Sequence, residues 1–234
     1  MKKAALMTFL ALLIPAAIFA QDTEGIQAER IGKDQAQQEL VEISVAKFED
    51  ASFWGHSMPL DMGIATIRRF EGGPAQKKPI AGEQAAALKL SDRYVLGGKI
   101  DFFRRGANEA FFFPVRPLPI EGLTKTISVW VVGRNYNHLL KAVIADYFNQ
   151  RREITIGKLN FMGWKQLTAA IPPSIMQDEY HYASMRGIKL LGFKLEFEMM
   201  ESYGTYYVYF DDLRATTDLF AESYRDKDDM IDGW

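Results

Sequence analysis

Between Thr124 and Pro173 the chain carries three apolar runs, Thr126–Gly133, His138–Tyr147 and Glu153–Leu159, divided only by the polar segments Gly133–Asn137 and Phe148–Arg152. No other stretch restricts the fold so far. Short runs joined by turns of about five residues suit antiparallel strands, whereas a parallel pair needs a crossover of a dozen residues or more. The spacing therefore predicts an antiparallel meander on an all-β platform. After it, Gly163-Trp164-Lys165 leads to a stop at Pro172-Pro173, where residues without amide hydrogens end regular pairing.

The remainder reads the same way. Val41, Ile43 and Val45 alternate with Glu42 and Ser44, the period of a strand with one wet face. Ile64–Phe70, Ala85–Leu90, Tyr94–Arg104 and Ala110–Val115 follow as strands. A bulge or bend is expected at Gly97-Gly98, and Pro117 and Pro119 close the last of the four. Ala51–Gly63, the heavily punctuated Glu71–Gly82 and the polar Gln177–Arg186 read as loops. In Gly187–Met199, Phe193, Leu195, Phe197 and Met199 face one way and Lys194, Glu196 and Glu198 the other. Tyr206–Leu213 is apolar or aromatic on both faces, which places it centrally in its sheet. Roughly ten strands, with no long helix and no repeat, predict two antiparallel sheets packed face to face as a jelly-roll β-sandwich.

The ends frame that sandwich. Met1-Lys2-Lys3, the apolar segment Ala4–Ile14 and the small residue Ala20 have the pattern of a secretory signal peptide, so residues 1–20 are expected to be removed on export. Residues 21–40 read as a polar N-terminal arm, residues 41–217 as the sandwich and residues 218–234 as an acidic C-terminal tail. No later run approaches the roughly 20 apolar residues of a membrane-spanning helix, so no membrane anchor is expected. Cysteine is absent from the sequence, which rules out disulfides, thiolate metal sites and a lipidated cysteine. Removing Lys2 and Lys3 from the 28 basic residues leaves 26 against 30 acidic ones, a formal charge of about −4. Such a surface offers no basic field to nucleic acid.

Catalytic signatures are sparse. Gly-x-Ser-x-Gly, His-Glu-x-x-His and a phosphate-cradling glycine loop are all missing, and His56, His138 and His181 lack ligand spacing and read as surface or turn residues. Glu196-Phe-Glu198-Met-Met-Glu201 resembles the Glu-x-Asp-x-x-Glu signature of laminarinase-type glycoside hydrolases, which carry acid and nucleophile as alternating carboxylates on one strand. Here Glu198 stands in place of the aspartate and Glu201 falls on the opposite face from Glu196. A solvated strand face is the preferred reading, and no catalytic residue is assigned. Trp54, Trp130, Trp164, Tyr203, Tyr206, Tyr207 and Tyr209 are aromatic candidates for stacking on sugar rings. Trp130, between Val129 and Val131, and Trp164, packing under its turn, are expected to be mainly structural. Glu49, Asp50 and Asp211, with Asp212, could share a calcium ion if the first and last strands are neighbours. Solvation of strand ends is the plainer reading, and no other cofactor is expected.

Val129-Trp-Val-Val-Gly-Arg-Asn-Tyr-Asn137, a following strand ending Ala145-Asp-Tyr147, then Gly157-Lys-Leu-Asn-Phe-Met-Gly-Trp-Lys165 and Ile171-Pro-Pro173 stand in an order that resembles the spirochaete flagellar filament outer-layer proteins, the sheath protein A family. Ile188, Leu190 and Phe193, and the strand ending in Asp211-Asp212, extend the resemblance over most of the mature chain. The layout is also similar to carbohydrate-binding, galactose-binding-like jelly rolls. The resemblance implies a non-catalytic periplasmic protein that coats a flagellin core alongside other sheath proteins and biases filament shape, stiffness and motility. It implies lateral contacts through loops: Arg134, Asn135, Tyr136 and Asn137; Gln150, Arg151 and Arg152; Lys77 and Lys78; and the two termini. Carbohydrate binding, including recognition of glycans on flagellin, is the alternative from another class, and hydrolysis through Glu196, Glu198 and Glu201 the weaker one.

Overall fold

The structure, a computed structural model, describes residues 40–80, 92–178 and 187–219. The expected signal peptide, nearly all of the N-terminal arm, the strand at Ala85–Leu90, His181 and residues 220–234 of the tail lie outside them.

Among the described residues there are twelve strands. In chain order they are β1 (Leu40–Ala46), β2 (Trp54–Ser57), β3 (Gly63–Glu71), β4 (Tyr94–Phe102), β5 (Glu109–Pro114) and β6 (Leu118–Glu121), then β7 (Leu123–Arg134), β8 (Leu139–Ala145), β9 (Arg151–Lys158), β10 (Met162–Ala170), β11 (Gly187–Glu196) and β12 (Thr205–Asp218). They form two six-stranded antiparallel sheets. The first runs β10-β7-β12-β4-β3, and the second β2-β5-β11-β8-β9. In each, one long strand shares an edge between two short ones: β4 then β1 along β12, and β5 then β6 along β11. The jelly-roll sandwich and the central place of β12 are as the sequence predicts.

The core lies where β11 and β12 face each other. Phe193 stacks on Phe210 with ring centroids 5.2 Å apart, and Phe112, Phe48 and Trp54 close around them. Each such ring contributes on the order of 2–3 kcal/mol by leaving water. Period two explains the supply: Ile127, Val129 and Val131 of β7 and Val208 and Phe210 of β12 point inward together. In β11 the alternation holds only because a bulge at Gly192 resets the register against β8. Its φ of +147° is a conformation that favours glycine.

Several expectations need correction. The three organising runs are not a meander, because β7 belongs to the first sheet whereas β8 and β9 form a hairpin in the second. The turn at 134–138 crosses between sheets, and β10 then returns to pair with β7. Strands β2, β6 and β10 occupy stretches read as loops or stops. Gly97 and Gly98 carry no bulge, for β4 keeps unbroken register with both β3 and β12. Strand β11 stops at Glu196, leaving Glu198 and Met199 in a turn, and β12 continues past Asp211-Asp212 to Asp218.

Candidate functional site

The outer face of the first sheet divides into a covered half and an open half. Over the covered half lies the segment 72–80, which follows β3 and folds back as a strap. Lys77 Nζ reaches the Asp211 carboxylate at 2.6 Å and Asp92 at 2.5 Å. Arg214 is bound to Asp212 through Nε at 2.7 Å, to Glu42 at 3.5 Å, and to the Lys78 carbonyl. A bulge makes this packing fit: Asp212 has φ of +49° and the β12–β7 register shifts beside it, a backbone state that aspartate tolerates better than most residues. Burial pushes the Asp211 carboxyl up to about 6 despite the pull of Lys77. Burial also works against the Lys77 charge, but hydrogen bonds to Asp211 and Asp92 hold it above the ordinary lysine range.

On the open half, strand pairing lays side chains out in rungs. Tyr209, Gly97 and Arg68 are neighbours across β12, β4 and β3; Tyr207, Lys99 and Thr66 form the next rung, and Thr205, Asp101 and Ile64 the third. Phe70 meets Tyr209 edge-on at 5.5 Å. Gly97 makes that contact possible, since a Cβ there would lie 2.5 Å from the Phe70 ring and 3.0 Å from Tyr209. A concavity of about 620 Å³ opens over these residues and is bordered by His56. A second, of about 470 Å³, adjoins it across Tyr207 and Tyr209 and reaches Arg134 and Tyr136. Asp101 accepts from Lys99 at 2.8 Å and from the Thr205 hydroxyl at 2.6 Å, and these two bonds hold its carboxyl below the usual range.

Of the expected sugar-stacking aromatics, Tyr207 and Tyr209 stand on this face, and Trp164 is half-buried in β10 on the same sheet instead of under a turn. Trp54 and Tyr206 belong to the core, Trp130 is buried beside Asp211 in register, and Tyr203 sits in an end loop beneath Arg105. Arg68, Phe70, Lys99 and Asp101 were not foreseen. Their period-two spacing was visible, but the register that aligns them is a product of pairing.

The expected contact loops fall at opposite ends of the sandwich, because 134–137 precedes β8 and 148–150 follows it. At the first end, Arg134 and Asn135 are exposed, Tyr136 stacks on His138 at 5.2 Å, and Asn137 donates two hydrogen bonds, of 2.6 and 2.9 Å, to Glu201. At the other end, Asp146 accepts from the Gln150 amide at 2.8 Å and from Arg152 at 3.3 Å, and Arg151 lies over Phe111. Lys77 is the strap's internal ion-pair partner, whereas Lys78 is exposed.

The carboxylates singled out in the sequence have separate tasks. Glu196 pairs with Lys141 and Lys194 on the outer face of the second sheet, and Glu201 receives Asn137 in the turn beyond it. Glu49 accepts the backbone amides of Arg93 and Tyr94, and Asp50 caps the helical turn at Ser52. No three His, Asp or Glu side chains among the described residues are grouped to hold a metal ion. His138 is not a turn residue at the surface but is fully buried, with Nδ1 accepting the Glu198 amide at 3.1 Å.

Fold and site together define a sandwich that presents surfaces, one aromatic and charged, while most of its buried charges hold the fold. Residues 18–225 match the family described as flagellar filament outer layer protein Flaa, and the chain belongs to that family. It is 38% identical over 224 residues to a flagellar filament outer layer-like protein of Brachyspira hyodysenteriae, covering 93% of this chain and 100% of the relative. A flagellar filament outer layer protein of Spirochaeta aurantia is 44% identical over 46 residues, 20% of this chain and 14% of its own length. Solved structures with a related outline include a carbohydrate-binding module of the β-sandwich superfamily (TM-score 0.44, 10% identity, 76% of this chain and 62% of the other). Another is the family 11 carbohydrate-binding module of Clostridium thermocellum in complex with a mixed-linked tetrasaccharide (TM-score 0.39, 13% identity, 76% and 96%). No helix of the described residues is long and apolar enough to cross a membrane.

Proposed function

We propose that the protein is a non-catalytic structural component of the flagellar filament outer layer, exported to the periplasm and packed against a flagellin core and other sheath subunits. Family membership along nearly the whole chain is the observation that carries this reading. The surface is consistent with it. At the end of the sandwich where Asn137 meets Glu201, neighbouring loops leave large apolar side chains in water: Leu60 is 85% exposed, Met162 74% and Met200 68%, with Phe103 and Tyr203 beside them. These loops are bonded to one another, Phe103 N–H to the Met62 carbonyl and Asn135 N–H to that of Phe161. Apolar groups gathered at one end are the usual mark of a surface that a partner covers. Arg134 and Asn135 border that end.

Co-sedimentation with purified periplasmic filaments tests this reading. The protein should pellet with filaments stripped of their coat, and L60S/M200S should reduce the bound fraction about tenfold without changing thermal stability, since both side chains are outside the core. Wild-type protein that stays wholly in the supernatant would remove the structural role. A second reading, carbohydrate binding, is favoured by the tyrosine-lined concavity of the first sheet, whose rings offer the flat apolar faces on which sugars stack.

A further inference from the structure

The open face of the first sheet has a charge pattern that carries the carbohydrate reading further. Among the described residues its two adjoining concavities are bordered by three cations, Arg68, Lys99 and Arg134, and by one carboxylate, Asp101. Asp101 is already engaged by Lys99 and Thr205, so it neutralises one cation and leaves two. Those two flank the tyrosines from opposite sides: Arg68 lies two strands from Tyr209 across Gly97, and the Arg134 guanidinium stands 5.7 Å from the Tyr209 ring. With strands about 4.8 Å apart, a ligand lying across β7, β12, β4 and β3 would meet an aromatic platform with a positive group at each margin. The larger hollow, about 620 Å³, has the size of a small-ligand site and not of a flat protein–protein interface.

Resting on the carbohydrate-binding reading, we infer that this face binds an acidic saccharide, with sugar rings stacked on Tyr207 and Tyr209 and a carboxylate held by Arg68 or Arg134. A guanidinium matches a carboxylate in a paired, charge-assisted geometry, and among the described residues the carboxylate bordering the site, Asp101, is bound to Lys99 and Thr205 and not to either arginine. Gly97 has no side chain of its own, so the Phe70 ring lies over it against Tyr209 and adds a further ring to the floor between the two margins.

The test is isothermal titration of the purified protein with paired probes: sialyllactose against lactose, and oligogalacturonate against its methyl ester. The acidic member of at least one pair should bind on the order of tenfold more tightly at low salt, with the preference shrinking as ionic strength rises. R68Q/R134Q should abolish the preference, and Tyr207→Ala should weaken both members. Equal affinity within both pairs, or a preference that R68Q/R134Q leaves intact, would overturn the acidic assignment and leave carbohydrate binding standing. Binding of neither member of either pair would overturn both, and binding of an acidic peptide such as oligoglutamate in place of any sugar would make the face a protein-docking surface.

Discussion

His138 shows how far a single residue can be separated from its local context. It follows the polar Gly133–Asn137 segment and so reads as part of a turn, yet it is fully buried among Tyr136, Phe197 and Tyr206, the last at 4.6 Å. What covers it is the turn after β11, some sixty residues away in sequence, and no local pattern can announce that. Burial pushes its pKa down to about 4, against a weak opposing pull from Glu201, while in the unfolded chain it is about 6.5. Between these values the unfolded chain takes up a proton that the folded chain refuses. The contribution of His138 to stability is therefore full above about pH 6.5 and falls as the pH drops toward 4, by on the order of 3 kcal/mol. Asp211 acts with the opposite sign: its folded pKa of about 6 lies above the unfolded one, so protonation between about pH 6 and 4 favours the folded state. The two effects nearly cancel, so urea midpoints should decline only slightly from pH 7 to 4.5, and in His138→Gln, where the Asp211 effect stands alone, they should rise as the pH falls. An unchanged slope in that variant would place the acid sensitivity elsewhere.

At the scale of elements, the strap at 72–80 carries an internal charge that its sequence suggests for a surface contact. Lys77-Lys78 looks like an exposed basic pair, but the Lys77 side chain is only 12% exposed and Asp211 is fully buried. Removing Lys77 strands a buried carboxylate, which typically costs about 3–5 kcal/mol. Lys77→Ala should lower stability by roughly 3 kcal/mol and speed proteolysis within the strap. K77M/D211N, which removes both charges, should recover most of the loss; if it is no more stable than Lys77→Ala, the pair is not what fastens the strap. Strands were legible where one face was wet, as in β1 and β11, because period two survives there. Strand β10 was not, since Met162-Gly-Trp-Lys-Gln is polar enough for a loop and is stabilised by pairing with β7. Strand β6 contains Pro119, a breaker tolerated at an edge. The meander failed for a geometric reason: sheets about 10 Å apart are close enough for a five-residue turn to cross between them as readily as to reverse within one. The open face was half legible, its tyrosines from alternation and its cations only from register.

The whole molecule depends on the contact between the central strands of its two sheets. Phe193 of β11 and Phe210 of β12 stack at 5.2 Å and 13°, and both are fully buried. Phe48, just after β1 of the first sheet, stacks on Trp54 of the second at 4.7 Å, so the aromatic core joins the sheets at more than one point. Neither sheet can shed its partner without exposing these rings, and most of the remaining buried apolar residues of both sheets belong to the same cluster. The proposed structural role asks for a subunit that behaves as one body under force from its neighbours, and a core shared by both sheets meets that demand. Phe210→Ala should cost about 3–5 kcal/mol, a large fraction of the 5–15 kcal/mol typical of a domain. The loss should fall equally on both sheets. Hydrogen exchange followed across a urea series should give one midpoint for peptides from β8 and β9 and for those from β7 and β10, in wild type and variant alike. Two separated midpoints would mean that each sheet unfolds alone, and the rigidity that a coat protein needs would then have to come from its neighbours and not from its own core.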